Sequence, residues 1–213
     1  MLQRDIFLSG EGDNWYLRNK KRINNQVNKP LLKKIIFLIK KLKKKKLKIL
    51  EVGSSNGKLL SLLKNKFRNY NYKYYGLDPS KKALHELKKK KLIPILGTAD
   101  SIPLKNKFDF LIYNFCLYLC DEVHYDKIYN SAKKVLTFKG LIVIFDFFSR
   151  NKKKIIYKYD KRIISHKSDF IKMFTTKKKF KCVYHKKYSY SEIFGGSKKR
   201  SNDLVAISVL KRK

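Results

Sequence analysis

Acidic residues are scarce in this chain: Asp and Glu number 16 against 53 Lys and Arg, a formal net charge of +37. That imbalance raises the prospect of a nucleic-acid partner. Arginine is scarce too, however, with eight residues against 45 lysines. Proteins that read bases or grip phosphates bidentately lean on arginine. The lysines come with abundant Ile, Asn, Tyr and Phe, whose codons are A/T-rich, so a base bias in the coding sequence is enough to explain the charge, the alternatives being a low-specificity phosphate-binding surface or a membrane-surface role. Cysteine is confined to Cys116, Cys120 and Cys182. An odd number at no metal-ligand spacing excludes a disulfide framework, implies no metal, and suits reduced thiols in a cytosol. No apolar run approaches the roughly 18–20 residues that span a bilayer. The N-terminus lacks the apolar core and cleavage site of a signal peptide. A cytoplasmic protein without a membrane span is expected, and its oligomeric state is left open. At 213 residues and 43% hydrophobic content, one α/β domain is the expected size.

Pro30 opens a segment with apolar residues at 31, 32, 35, 36, 38, 39 and 42, a helical period with proline in its first turn. The period then changes. Residues 46–52 read as a buried strand, followed by GSSNG and a helix; 72–78 is a second strand ending on an acidic residue, with a helix from Pro79. Strands follow at 92–96 and 108–115, a helix at 121–136, and a fifth strand at 140–148. This β-α-β-α-β-β-α-β order predicts a parallel, doubly wound sheet. The tail reads as a helix near 168–175 and strands near 180–190 and 203–210. A loop with Gly195-Gly196 joins those two strands into an antiparallel edge hairpin. Residues 1–29 are polar and form a separate segment ahead of the domain at 30–213.

The chemistry centres on the strand–loop–helix around GSSNG. Parallel sheets bind ligands at the carboxyl ends of their strands, where strand order reverses. Gly53 and Gly57 allow a tight turn and a close backbone approach. Glu51 precedes them, and Asp78 ends the next strand 25 residues after Gly53, a distance at which a carboxylate can hold ribose hydroxyls. ILEVGSSNG resembles motif I of class I S-adenosylmethionine-dependent methyltransferases. YYGLDPS resembles their acidic-loop motif, and GTADSIPL and FDFLIYNFCLYLCD resemble the motifs at the third and fourth strand ends. The resemblance covers about 100 residues. It implies a Rossmann-like, seven-stranded, mostly parallel sheet with an antiparallel edge hairpin, and S-adenosyl-L-methionine as cofactor.

The resemblance also implies roles. Glu51 meets the cofactor's amino group, and Gly53, Ser55 and Gly57 form the loop against its methionine and ribose. Asp78 accepts from the ribose hydroxyls. Ala99 and Asp100 edge the adenine, and Asn114 closes the strand where methyl group and substrate meet. Cys116 lacks the Pro-Cys setting of cytosine-methylating enzymes and reads as a small buried hydrophobe. No residue announces itself as a general base; His124, His166 and Asp146 are candidates by position only.

Two further segments resemble methyltransferases found among bacterial surface-glycan biosynthesis genes. EGDNWYLRN is similar to their EGD-x-W-(aromatic)-x-RN opening, and 165–174 is similar to their SYK-x-D-(aromatic) segment, with His166 departing from the usual aromatic. The implied acceptor is an O or N of a small molecule such as a sugar or glycan precursor. Trp15, Arg18, Lys167 and Asp169 are its expected contacts, Trp15 stacking on it from a lid formed by 1–29. The alternative is a nucleic-acid methyltransferase, but residues 114–117 lack the Asn/Asp-Pro-Pro-aromatic pattern of amino-methylating enzymes.

Overall fold

The switch from helical to alternating period at Lys46 corresponds to a change of element in the computed structural model, which describes residues 1–195 and 202–213. Asn28 caps α3 (Lys29–Leu42) by accepting the Leu31 N–H. Its apolar stripe, Leu31, Ile35 and Ile39, is fully buried. The sheet then builds from β1 (Lys46–Val52), β2 (Asn71–Asp78), β3 (Ile93–Leu96), β4 (Phe108–Asn114) and β5 (Leu136–Phe148). Helices α4 (Lys58–Lys66), α5 (Lys81–Lys89) and α6 (Tyr125–Val135) intervene. Two 3-10 turns, Leu117–Leu119 and Glu122–His124, lead from β4 into α6.

Successive residues of a strand point to opposite faces, and both faces here are covered. Ile49 packs with α3 and α4, whereas its neighbour Leu50 packs with α6. That is why β1, β4 and β5 read as nearly continuous apolar runs. Each fully buried Leu or Ile contributes about 1.5–3 kcal/mol. Five strands run parallel in the order β3-β2-β1-β4-β5. Two antiparallel strands, β8 (Phe180–Ser189) and β9 (Leu204–Arg212), complete a seven-stranded sheet, with β9 inserted between β5 and β8. This is the doubly wound Rossmann-like arrangement with its antiparallel edge. Among the described residues, no helix is long and apolar enough to cross a membrane.

Three regions differ from the sequence reading. Residues before α3 are largely helical: α1 (Gln3–Ile6), a kinked segment at Phe7–Glu11 broken at Gly10 (φ 155°), and α2 (Gly12–Asn25). Their buried face mixes Gln3, Glu11 and Gly12 with Ile6, Phe7 and Tyr16, so no apolar stripe marks it. A two-stranded hairpin, β6 (Lys153–Ile156) and β7 (Ile164–Lys167), lies outside the main sheet, and every residue of β6 is exposed. The expected helix near 168–175 is a short α7 (Ile171–Thr175). Finally, β8 and β9 are not joined by a glycine turn alone. A helix, α8 (Tyr190–Phe194), intervenes, started by the reciprocal Ser189–Glu192 capping box. Gly195 follows it, and Gly196 lies outside the described residues.

Candidate active site

The loop between β1 and α4 turns through three left-handed residues, Gly53 (φ 71°), Ser55 (φ 47°) and Gly57 (φ 68°). The Gly53 and Ser54 N–H groups donate to the Leu77 carbonyl, tying the loop to β2. A Cβ on Gly53 would lie 2.6 Å from Cys116 Cβ, so the loop runs against the end of β4 only because that atom is missing. Gly57 has a different task. Its Cβ would meet Leu92 and Leu87, so it serves packing against α5 and the turn that leads into β3.

Asp78 organises this loop together with the next. Its Oδ2 accepts from Ser55 N (2.7 Å) and its Oδ1 from Ser80 N (2.9 Å). Burial still pushes its carboxyl up to about 6. Ser80 caps α5, and its hydroxyl donates to Asp13, which also accepts from Lys82 N. Asp13 thereby fastens α2 to the start of α5. Gly12 packs as closely, since a Cβ there would lie 3.1 Å from Pro79 C and from Ser80 N. Losing a cap of this kind costs about 1 kcal/mol. Asp13→Ala should therefore lower the melting temperature by roughly 2–4 °C, followed by circular dichroism; an unchanged melt would show that the latch carries no stability.

Glu51 is almost fully buried. Its Oε1 accepts from Asn114 Nδ2 (2.7 Å), Oε2 has no partner, and burial pushes the carboxyl up to about 8. Ser54 Oγ and Ser55 Oγ are likewise buried without partners. Glu51, Ser54 and Ser55 line a cavity of about 240 Å³ at the carboxyl edge of the parallel strands, together with Asp78, Ala99 and Asn114. Unpartnered buried polar atoms are rare and costly, so a cluster of them on one cavity wall marks a place built to take a polar ligand.

At the β3 end, Asp100 does not present a free carboxylate. It accepts from Thr98 Oγ1 (2.7 Å) and Arg4 (3.0 Å), and His124 Nδ1 lies 3.1 Å away. Against the opposing effect of burial, the Thr98 and Arg4 contacts hold its carboxyl below the ordinary value.

The profile of a family described as a methyltransferase domain matches residues 43–206, most of the chain. The chain belongs to the class I S-adenosylmethionine-dependent methyltransferases. No curated protein matches it by sequence. Solved structures share the fold at low identity. One is the Burkholderia thailandensis 1,6-didemethyltoxoflavin-N1-methyltransferase, with TM-score 0.68, 13% identity, and 98% of this chain and 89% of that one covered. Another is a Methanosarcina mazei SAM-dependent methyltransferase, with TM-score 0.64, 15% identity, and 82% and 96% covered. A third is a Brevibacillus brevis polyketide-synthase O-methyltransferase, with TM-score 0.60, 10% identity, and 78% and 66% covered.

Within this methyltransferase the outlying candidates separate. Trp15 lines the cavity. Arg18 instead pairs with buried Glu11, donates to the Tyr157 hydroxyl, and lies 4.1 Å from the Tyr159 ring centre, clasping the β6–β7 hairpin to α2. Lys167 pairs with Asp203 at 2.5 Å, and Asp169 accepts from Ile171 N at the start of α7; neither lines the cavity. Of the base candidates, only His124 lines it. Asp146, pushed up to about 7 by burial, accepts from Leu117, Tyr118 and Phe147 N–H groups and so clamps the loop after β4. His166 is buried in β7, where burial and Lys154 lower its pKa. Sequence reasoning missed Arg4, Asn28, Ser54 and Phe194, all on the cavity wall. Asn28 carried only the signal of a helix cap, and Phe194 none.

Proposed function

We propose that this methyltransferase passes a methyl group to an oxygen or nitrogen of a small molecule enclosed in the cavity, with the cofactor along the β1–β2 wall. One observation carries the reading: the unpartnered Glu51, Ser54 and Ser55 oxygens surround a left-handed glycine loop that Asp78 holds in place. In this reading Glu51 Oε2 takes the cofactor's amino group, Asp78 accepts from its ribose hydroxyls, and the backbone around Ala99 edges its adenine. Bound there, S-adenosylmethionine would supply a methyl on cationic sulfur to a lone pair of the acceptor, the carbon–sulfur pair staying on sulfur and the acceptor's proton leaving to solvent as the product departs. The chain's own contribution is positioning and exclusion of water. α1 and α2, with Trp15, supply one wall of the cavity and act as its cover.

The small-molecule acceptor is supported by this enclosure and by the similar folds that act on small molecules. The expectation of a sugar-like acceptor rested on four residues, of which only Trp15 reaches the cavity. Asp78→Ala removes a charged acceptor from both the loop and the ribose, about 1.5–3 kcal/mol, or roughly a 10- to 150-fold loss of S-adenosylhomocysteine affinity by calorimetry. Affinity kept within twofold would remove Asp78 from the site.

A further inference from the structure

Beyond Asn114 the character of the cavity changes. Phe115 has a left-handed backbone (φ 53°), held by its N–H donating to the Phe145 carbonyl at 2.7 Å. A bulky residue in that region is a strained outlier, of the kind retained where a side chain must be aimed. The strain aims the Phe115 ring into an aromatic wall. Its centre lies 4.8 Å from that of Phe147, 5.0 Å from Phe145 and 5.5 Å from Phe194. Phe115, Phe145 and Phe194 line the cavity. Tyr190 and Phe194 pack at 4.6 Å, extending the wall into α8.

None of Phe115, Phe145, Phe194, Asn28 and Arg22 at this corner carries a carboxylate, and of the cavity's acids Asp121 stands on the loop after β4, one oxygen taken by the Gln3 N–H. Asp100 is saturated by Thr98 and Arg4, and the free Glu51 oxygen belongs to the cofactor wall. Burying sugar hydroxyls against phenylalanine without partners costs several times what their hydrogen bonds return. Donors are available instead. Asn28 Nδ2 is buried without a partner on the cavity lining, its Oδ1 being spent on the α3 cap. Arg22 stands 6.0 Å from the Phe194 ring centre, donating to the Tyr190 hydroxyl and Asn19, and among the described residues it has no carboxylate within ion-pair distance. Gln26 ties the end of α2 to the Phe194 carbonyl, so the donors and the aromatic wall belong to one corner.

We infer that the methyl acceptor is a planar aromatic or heteroaromatic compound carrying one anionic substituent, its ring against Phe115, Phe145 and Phe194 and its anion toward Asn28 and Arg22. The inference rests on the proposed function, since it divides the cavity between cofactor and acceptor. Ring stacking supplies orientation, and the cation with the amide donor supplies polarity.

The test uses the full chain saturated with S-adenosylhomocysteine and two probes of equal charge, 2-naphthoate and N-acetylneuraminate. Equal charge matters because a +37 protein attracts any anion. Calorimetry should find 2-naphthoate bound at least tenfold more tightly than the sugar acid. It should also perturb the fluorescence of Trp15, the single tryptophan, which lines the same cavity. Phe194→Ala should weaken 2-naphthoate at least fivefold without changing S-adenosylhomocysteine affinity, and Phe194→Tyr should restore it. Arg22→Gln should weaken 2-naphthoate but not uncharged 2-naphthol. Equal or tighter binding of the sugar acid, or a Phe194→Ala protein that binds 2-naphthoate unchanged, overturns the inference while leaving the proposed function standing. A wild-type chain that fails to bind S-adenosylhomocysteine overturns both.

Discussion

Gly53→Ala should cost the methyltransferase its cofactor affinity, by at least about 100-fold or about 2.8 kcal/mol, while leaving the sheet intact. Two effects add. A non-glycine residue at φ 71° sits in the left-handed region, which costs about 1–2 kcal/mol. The new methyl would also lie 2.6 Å from Cys116 Cβ and 3.2 Å from the Asn114 carbonyl oxygen, closer than the end of β4 can accept. The loop must withdraw, and Ser55 N then leaves Asp78, breaking the contact that joins the two loops. Gly57→Ala is the control. Its clash is with Leu92 and Leu87 in the core, so it should lower the melting temperature more than it lowers affinity. Calorimetric titration with S-adenosylhomocysteine on both variants decides the matter; a Gly53→Ala protein binding within threefold of wild type removes the loop from the site.

The second large effect is a pH dependence seated in Glu51. Burial raises its carboxyl to about 8, so the ligand-free protein holds it neutral at pH 7. A cationic amino group requires it ionised, so binding must release the proton. Below the raised pKa, cofactor affinity should fall by about tenfold per pH unit as pH drops. The clean window is pH 6.5 to 7.5, above the Asp78 carboxyl at about 6. Glu51→Gln should abolish the slope and weaken binding at pH 7.5 by about 3 kcal/mol, as expected for removing one partner of a buried charged pair. Proton release measured by calorimetry in two buffers of different ionisation enthalpy reads the linkage directly, and a wild-type slope equal to that of Glu51→Gln would refute it. The free protein carries the matching signature. A carboxyl whose folded pKa is raised contributes stability below its unfolded value and loses it as pH rises through about 8. The empty wild-type chain should therefore melt lower at pH 8 than at pH 6, and Glu51→Gln should reduce that trend, leaving the share of Asp146, whose carboxyl is pushed up to about 7.

What could be read from the sequence was what repetition and burial impose. β1, β4 and β5 are covered on both faces and so appear as apolar runs. The β1 loop, with Asp78 after it, has a spacing fixed by one βαβ unit. The N-terminal helices could not be read the same way. They are held by Asp13 at a helix start, by Gly12 against Pro79 and Ser80, and by a Glu11–Arg18 pair. These contacts carry no period. The same limit explains Arg18 and Lys167: charged residues in a motif suggested substrate contacts, but each has a carboxylate of its own chain to neutralise. Phe194 lies 79 residues from Phe115 in sequence, and only the β8–α8–β9 connection brings them together.

The open sheet has two free edges, and their composition gives the excess of lysine one physical task. At one edge β8 offers unpaired backbone groups over ten residues, and Lys181, Lys186 and Lys187 stand along it. At the other, β3 is only four residues long and contains Pro94, which has no N–H to donate. Two copies meeting edge to edge would bring like charges together at β8 and find a broken ladder at β3, both recognised guards against one sheet recruiting another. Lysine along β8 and proline in β3 thus disfavour the pairing of one sheet edge with another.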